Sequence, residues 1–305
     1  MPIKYFEILG EVIQGDIDHM TSRTGKQRPD MYQEIVTHLI NMESEWFSEL
    51  QPNIPYGDSM CRIAYLYAHA PINSNLIGYI ILSDAEFRNY LIAINQEKGI
   101  VDICAFGGGP GSELLGISKS ISGLGLPTPL HLRFLLTDIV SDWFYSWNAI
   151  EQSVEKRQRT DYGIDRSKWP LITQGSVHPV DVRNISHFNK TRGVFIRDAY
   201  ILNYLISEIV DDFARFLKFM LEVNTIAPVG AKYLFIDRNR PEEKDKVIKV
   251  AYALGLSLSE IHETNVIMDL DEQRSDLGQL YLDLHASGRD PRTKWNAFWV
   301  VGTKV

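Results

Sequence analysis

Apolar and polar positions divide the chain into two unlike parts. Residues 1–98 lack strand–helix alternation, and from about residue 30 their apolar positions recur at helical spacing. Ile35, Leu39, Ile40, Met42 and Trp46-Phe47 mark one amphipathic helix, with Pro29 just ahead of it. Met60–Ala68 and Ser74–Leu82 read as two more. Ser83-Asp84-Ala85-Glu86 opens a fourth that runs to about Gln96 and ends at Lys98-Gly99. The polar, basic run Thr21–Arg28 reads as a loop, either plain surface or a mobile cover for a ligand. This helical N-terminal region is expected to serve as a lid, a substrate wall or a structural cap.

From Ile100 short apolar runs alternate with helical ones, which predicts an α/β fold with a parallel sheet. The expected strands are Ile100–Phe106, Leu130–Asp138, Leu171–Gly175, Gly193–Arg197 and Ala231–Asp237. Helices are expected over about 112–120, 142–157, 201–224 and 242–254. In the third of these, residues from Leu202 through Val210 to Met220 form the buried face. Runs at about 260–270, 278–284 and 296–303 read as closing strands.

One junction carries more information than the rest. The apolar strand ending at Phe106 breaks into Gly107, Gly108, Gly109, Pro110 and Gly111, and Ser112-Glu113 then starts a helix. Strand, glycine turn and helix bring a ligand against bare backbone at a helix N-terminus. The spacing is G-x-G-x-G. The dinucleotide fingerprint G-x-G-x-x-G needs a glycine where Ser112 stands, which disfavours a nicotinamide oxidoreductase.

A G-x-G-x-G after the first strand resembles motif I of the class I S-adenosylmethionine (SAM) methyltransferases, and the likeness covers residues 99–305. It implies a Rossmann-like, seven-stranded, mostly parallel sheet with a C-terminal β-hairpin, helices on both faces, and SAM as cofactor. Phe106, Gly107, Gly108, Gly109 and Gly111 would then lie against the methionine moiety, and Asp138 would accept from the ribose hydroxyls. Ile139 would cover the adenine, with Trp143 bordering it, and Gln174 or Ser176, or Asp181 further on, would meet the adenine amino group. Asp198, Tyr200 and Arg197, read as the end of strand four, would face the reacting methyl. Asp198 would accept a proton and Tyr200 would orient the nucleophile. Plainer roles stand beside these: Asp198 as a helix cap paired to Arg197, and Trp143 and Trp147 as aromatic core. Two positions before the first glycine the family usually has an acidic residue, and here Ala105 stands.

Absences narrow the chemistry. No (Asp/Asn)-Pro-Pro-(Tyr/Phe) motif follows strand four, no cysteine stands where a pyrimidine C5 methyltransferase needs its nucleophile, and the histidines are scattered without metal spacing. A net charge of −8 argues against bulk electrostatic binding of nucleic acid. The basic cluster Glu155–Lys168 is diluted by its own acids and reads best as a solvated helix end. Arg238-Asn239-Arg240, after strand five, is expected on the ligand edge, where two arginines suit a substrate phosphate or carboxylate; a plain turn into the helix that Pro241 starts explains the same residues.

No apolar run approaches the roughly 20 residues of a membrane span. The N-terminus lacks a signal-peptide core, and two cysteines, Cys61 and Cys104, make no disulfide framework. A cytoplasmic or nuclear protein is expected. Two readings follow. One is a SAM-dependent methyltransferase acting on a nitrogen or oxygen nucleophile of RNA or of a small molecule. The other is a catalytically inactive SAM-binding scaffold for a protein partner, motivated by Ala105. The stretches Tyr65–Pro71 and Ala199–Glu208 resemble, loosely, methyltransferase-like proteins associated with ribosomal RNA, which tilts the acceptor toward RNA against the acidic charge.

Overall fold

The computed structural model describes residues 4–46, 52–209, 211–267 and 270–305. Phe47, Val210 and positions 268–269, assigned to elements above, lie outside the described residues. The N-terminal region comprises helices α1 (Tyr5–Thr24), α2 (Arg28–Trp46), α3 (Ser59–Ala68), α4 (Ala70–Ser83) and α5 (Ala85–Lys98). Asp58 and Asp84 accept backbone N–H groups at the starts of α3 and α5, which fixes where those helices begin. Helix α1 is not foreseen in the sequence pattern, where Gly10 and Gly15 weaken its helical signal. It absorbs half of the loop expected over 21–28 and leaves a turn at 25–27.

The remainder alternates: β1 (Val101–Phe106), α6 (Ser112–Ser122), β2 (Leu130–Asp138), α7 (Trp143–Tyr162), β3 (Leu171–Pro179), α8 (Ile185–Thr191), β4 (Ala199–Asn203), α9 (Leu205–Glu208), α10 (Phe213–Ile226), β5 (Lys232–Arg238) and α11 (Pro241–Ala253). It closes with β6 (Leu256–Leu258), β7 (His262–Ile267), α12 (Leu270–Leu277), α13 (Gln279–Ala286) and β8 (Lys294–Lys304).

The sheet runs β3-β2-β1-β4-β5-β8-β6, with β7 also paired to β8. Strands β1 to β5 are parallel and β8 is antiparallel to its neighbours. β6 and β7 pair with opposite ends of β8, so together they fill one position and the sheet is seven strands across. This is the expected Rossmann-like sheet with an antiparallel C-terminal return. The chain winds from β1 outward to β3, then returns to place β4 on the other side of β1. That reversal opens a crevice above the carboxyl ends of β1, β2 and β4.

Alternation along β1 sorts the two faces. Val101, Ile103 and Ala105 join a core shared with the N-terminal helices, α6 and α7, whereas Cys104 and Phe106 join one shared with α10 and α11. Helices α4 and α6 touch backbone to backbone, since a Cβ on Gly116 would lie 2.4 Å from the Ser74 carbonyl oxygen.

Three expectations need correction. Strand four is Ala199–Asn203, not 193–197; Arg192–Phe195 is a 3-10 turn. The helix expected over 201–224 is instead the end of β4, the single turn α9 and then α10. The run 278–284 is helix α13 rather than a strand.

Candidate functional site

The glycine turn is built by the register of β1 on β2. Phe106 pairs with Thr137, and the Thr137 carbonyl accepts the Gly107 N–H at 2.8 Å. This sets the turn beside Asp138, whose Oδ2 accepts the Gly109 N–H at 3.2 Å and whose Oδ1 accepts the Val140 N–H at 2.9 Å. Burial pushes the Asp138 carboxyl up to about 6, against the pull of those backbone donors.

The glycines divide the work. Gly107, in the left-handed region at φ 63°, and Gly109 line a cleft of about 370 Å³. Gly108 packs down on Ala105 and Leu136. Gly111, at φ 86°, answers to packing: a Cβ there would stand 2.1 Å from the Trp147 ring, and one on Gly175 would stand 2.2 Å from the same indole. Trp147 is thus wedged between the glycine turn and β3. The side chain of Phe106 points away from the cleft, stacked between Phe195 and Tyr200, so only its backbone reaches the turn.

Opposite the glycines, Asp138, Ile139 and Trp143 line the same cleft. Ile139 is 59% exposed, a large apolar side chain offered to the cleft rather than to the core. Gln174 and Ser176 are not there. Strand β3 runs on to Pro179, paired with Asp138, so its carboxyl end carries Val180, Asp181, Val182 and Arg183 to the cleft instead. Arg183 pairs with Asp181 at 2.9 Å. Burial raises the Asp181 carboxyl, but the hydrogen bonds and charge of Arg183 outweigh it and hold the group below its ordinary value.

Arg197, Asp198 and Tyr200 sit at the wrong end of β4 for the assigned role. Asp198 precedes the strand, bound to the Lys98 ammonium at 2.6 Å and to the Asp102 N–H at 3.0 Å. Arg197 pairs with Asp102 at 2.8 Å. Tyr200 is buried, stacked on Tyr233 with ring centroids 4.5 Å apart, and donates to the Phe195 carbonyl. These residues lock the amino edge of the sheet. The carboxyl end of β4 is Asn203-Tyr204, followed by Glu208 on α9, and all three line the cleft.

Tyr204 is the one non-glycine residue with positive φ, 55°, among the described residues, a strained geometry of the kind that collects at functional sites. It borders a second cavity of about 300 Å³ as well. That chamber shares Tyr65, Tyr204 and Glu208 with the cleft. Trp46, His69 and Trp295 add aromatic wall, and Arg238, Arg240, Arg292 and Lys294 bring cations. At the junction burial pushes the Glu208 carboxyl up to about 7, eased by the charge of Arg238. Behind Asn203 lies Glu113, which is 3% exposed and accepts from the Asn203 amide at 3.2 Å. Its Oε2 has no hydrogen-bond partner among the described residues, and burial pushes its carboxyl up to about 7.

Most of the chamber escapes sequence reasoning because its residues come from distant segments. Only Arg238-Asn239-Arg240, expected on the ligand edge, lies in a stretch whose pattern suggested a binding role here. Among the described residues no His, Cys, Asp and Glu group has the makings of a metal site, and no helix is long and apolar enough to cross a membrane.

No protein-family model matches the sequence, and no curated protein matches it either. Solved structures do resemble it. An O-methyltransferase family protein from Burkholderia thailandensis aligns over 90% of this chain and 72% of its own, with 9% identity and a TM-score of 0.44. The N-methyltransferase NodS from Bradyrhizobium japonicum, in complex with S-adenosylhomocysteine, aligns over 88% of this chain and 98% of its own, with 10% identity and a TM-score of 0.38. The CurJ carbon methyltransferase aligns over 96% and 71%, with 10% identity and a TM-score of 0.41. At such values the strand order and the cleft geometry remain the grounds for a functional reading.

Proposed function

We propose that the protein is a SAM-dependent methyltransferase that transfers a methyl group to a nitrogen or oxygen of an acceptor held in the chamber beside the cleft. The observation that carries this reading is the pairing of Asp138 with the glycine turn at the sheet's switch point. An acidic group there suits ribose hydroxyls, and a turn with Ser112 where the dinucleotide fingerprint needs glycine suits an amino-acid tail rather than a pyrophosphate. The donor set fits the cofactor. Each Asp138 oxygen retains acceptor capacity beyond its backbone bond, Ile139 offers an apolar face to adenine, and Gly107 and Gly109 present bare backbone to the cleft.

Ala105 leaves the β1 end without a carboxylate, and Glu113 is the group that replaces it. It lies one hydrogen bond behind Asn203, and its ionised form favours an ammonium in front of that amide, which would in turn favour ionisation of a carboxyl that burial has pushed up to about 7.

SAM supplies, when bound, a methyl group on a sulfonium, ready for in-line displacement. Most of the protein's task is then alignment and the exclusion of water. Tyr65 and Tyr204, both neutral phenols because burial raises them, border the acceptor. Glu208, with its carboxyl near neutrality at the junction of the two cavities, takes the proton that an N–H or O–H nucleophile loses. This role passes to Glu208 from Asp198, which faces the opposite edge.

The test is methyl incorporation from labelled SAM into cell extract, split by RNase and protease treatment. Label that appears only with active protein supports the reading. Tight SAM binding with no label in any fraction would instead favour the scaffold.

A further inference from the structure

The chamber beyond Tyr204 has a charge arrangement that the cofactor does not use. Arg238 and Arg240 reach it from the turn between β5 and α11, and Arg292 and Lys294 from the approach to β8. None of the four has an ion-pair partner among the described residues. The two carboxylates of the chamber do not compensate. They are two against four cations, Glu43 is also engaged by Arg289 at 3.2 Å, and burial pushes the Glu208 carboxyl up to about 7.

Arg292 is the most committed of the cations. Its backbone N–H donates to the Ala68 carbonyl at 3.0 Å, and its guanidinium lies 4.5 Å from the centroid of the Trp295 ring. Burial pushes its pKa down; the charge of Glu43 partly restores it, and the charge of Arg238 pushes it down again. His69 beside it is driven to about 3 by burial and by Arg292, so it stays neutral. Two guanidiniums that repel across a part-buried space cost free energy until an anion sits between them. A planar oxyanion met by arginine forks is the strongest complement to that arrangement.

We propose that the methyl acceptor is a small molecule bearing a carboxylate or a phosphate, with its oxyanion held by Arg292 and Arg238. Its flat remainder lies among the rings of Trp46, Tyr204 and Trp295. The inference rests on the methyltransferase reading for the word acceptor and on the chamber alone for the anion. A cavity of about 300 Å³ admits a small organic anion, and a net charge of −8 works against a polyanion such as RNA.

The test is a fluorine NMR titration of the protein, with and without saturating S-adenosylhomocysteine. The probes are 4-fluorobenzoate, 4-fluorophenyl phosphate and the neutral 4-fluorobenzamide. At least one anion is expected to bind about tenfold or more tighter than the amide, roughly 1.4 kcal/mol. The ranking of the two anions identifies the preferred oxyanion. Arg292→Gln and, separately, Arg238→Gln, each checked for an unchanged melting temperature, are expected to remove that preference and leave S-adenosylhomocysteine affinity intact. Equal binding of the amide overturns the inference. So does an anion preference that survives both substitutions, or no anion binding at millimolar concentration. So does a single-stranded RNA oligomer that binds more tightly than either anion and depends on Arg292. Anion preference without S-adenosylhomocysteine binding would remove the cofactor reading and keep the anion site; the reverse pattern would remove the anion site alone.

Discussion

The N–H of Gly109 donates to the carboxylate of Asp138 across 3.2 Å, which ties the turn after β1 to the end of β2. One bond therefore sets the distance between the two parts of the cleft that would grip opposite ends of the cofactor. Asp138→Asn keeps the shape and removes the charge. It is expected to weaken S-adenosylhomocysteine binding by about 1.5–3 kcal/mol, the worth of hydrogen bonds to a charged group. Isothermal titration calorimetry reads the change directly, and unaltered affinity would remove Asp138 from the ribose.

Glu208→Gln separates proton transfer from binding. With its carboxyl pushed up to about 7 by burial, Glu208 accepts a proton only once it is ionised, so the rate should climb as pH rises through about 7 and then level. Loss of this group as a general base is expected to lower kcat about 100-fold or more. The rate that remains should lose its rise near neutrality, while cofactor affinity is kept. A variant with the wild-type pH profile would show that another group, or none, takes the proton.

Gly111→Ala tests whether the third glycine serves packing rather than the ligand. Its Cβ would stand 2.1 Å from the Trp147 ring at a φ that L-residues rarely adopt. Overpacking costs about 1–3 kcal/mol, and the left-handed backbone adds about 1–2. A lower melting temperature is expected in the absence of any ligand. Full thermal stability with weakened cofactor binding would reverse the assignment.

Glu113 makes stability depend on pH. Its carboxyl is raised by burial from 4.5 to about 7, so the folded state binds more protons than the unfolded one between those values. Its contribution is fully present below about 4.5 and is lost as pH rises toward about 7. Relative to wild type, Glu113→Gln should therefore gain stability progressively over that interval and hold a constant advantage above it. Urea denaturation at a series of pH values measures this, and a pH-independent difference would place Glu113 in an environment unlike the one described. In parallel, the substitution should weaken S-adenosylhomocysteine binding, because the negative charge behind Asn203 is gone.

The glycine turn, Asp138, Ile139 and the sheet's closing antiparallel strand were legible because each depends on local pattern: strand, glycine spacing, and an apolar run ending in an acid. Strand four was not. Val194–Ile196 and Tyr200–Leu202 are both short apolar runs, and periodicity cannot rank one above the other; the choice is made by pairing with β1 on one side and β5 on the other. The break after it hinges on Tyr204 in a left-handed conformation, which no glycine announces. Reading strand four at 193–197 puts the candidate catalytic residues Arg197, Asp198 and Tyr200 one strand-length too early, at the sheet's amino edge. In β3 the same kind of shift, from an end at 175 to one at 179, replaced Gln174 and Ser176 by Val180 and Asp181. The cationic chamber was hidden for another reason: Trp46, His69, Tyr204, Arg238 and Arg292 meet only through tertiary packing.

The most direct measurement is calorimetric titration of the protein with S-adenosylhomocysteine and, separately, with NADH. Saturable one-to-one binding of S-adenosylhomocysteine, lost in Asp138→Ala and absent for NADH, is the predicted result. Binding of NADH with none of S-adenosylhomocysteine would contradict the account at its centre.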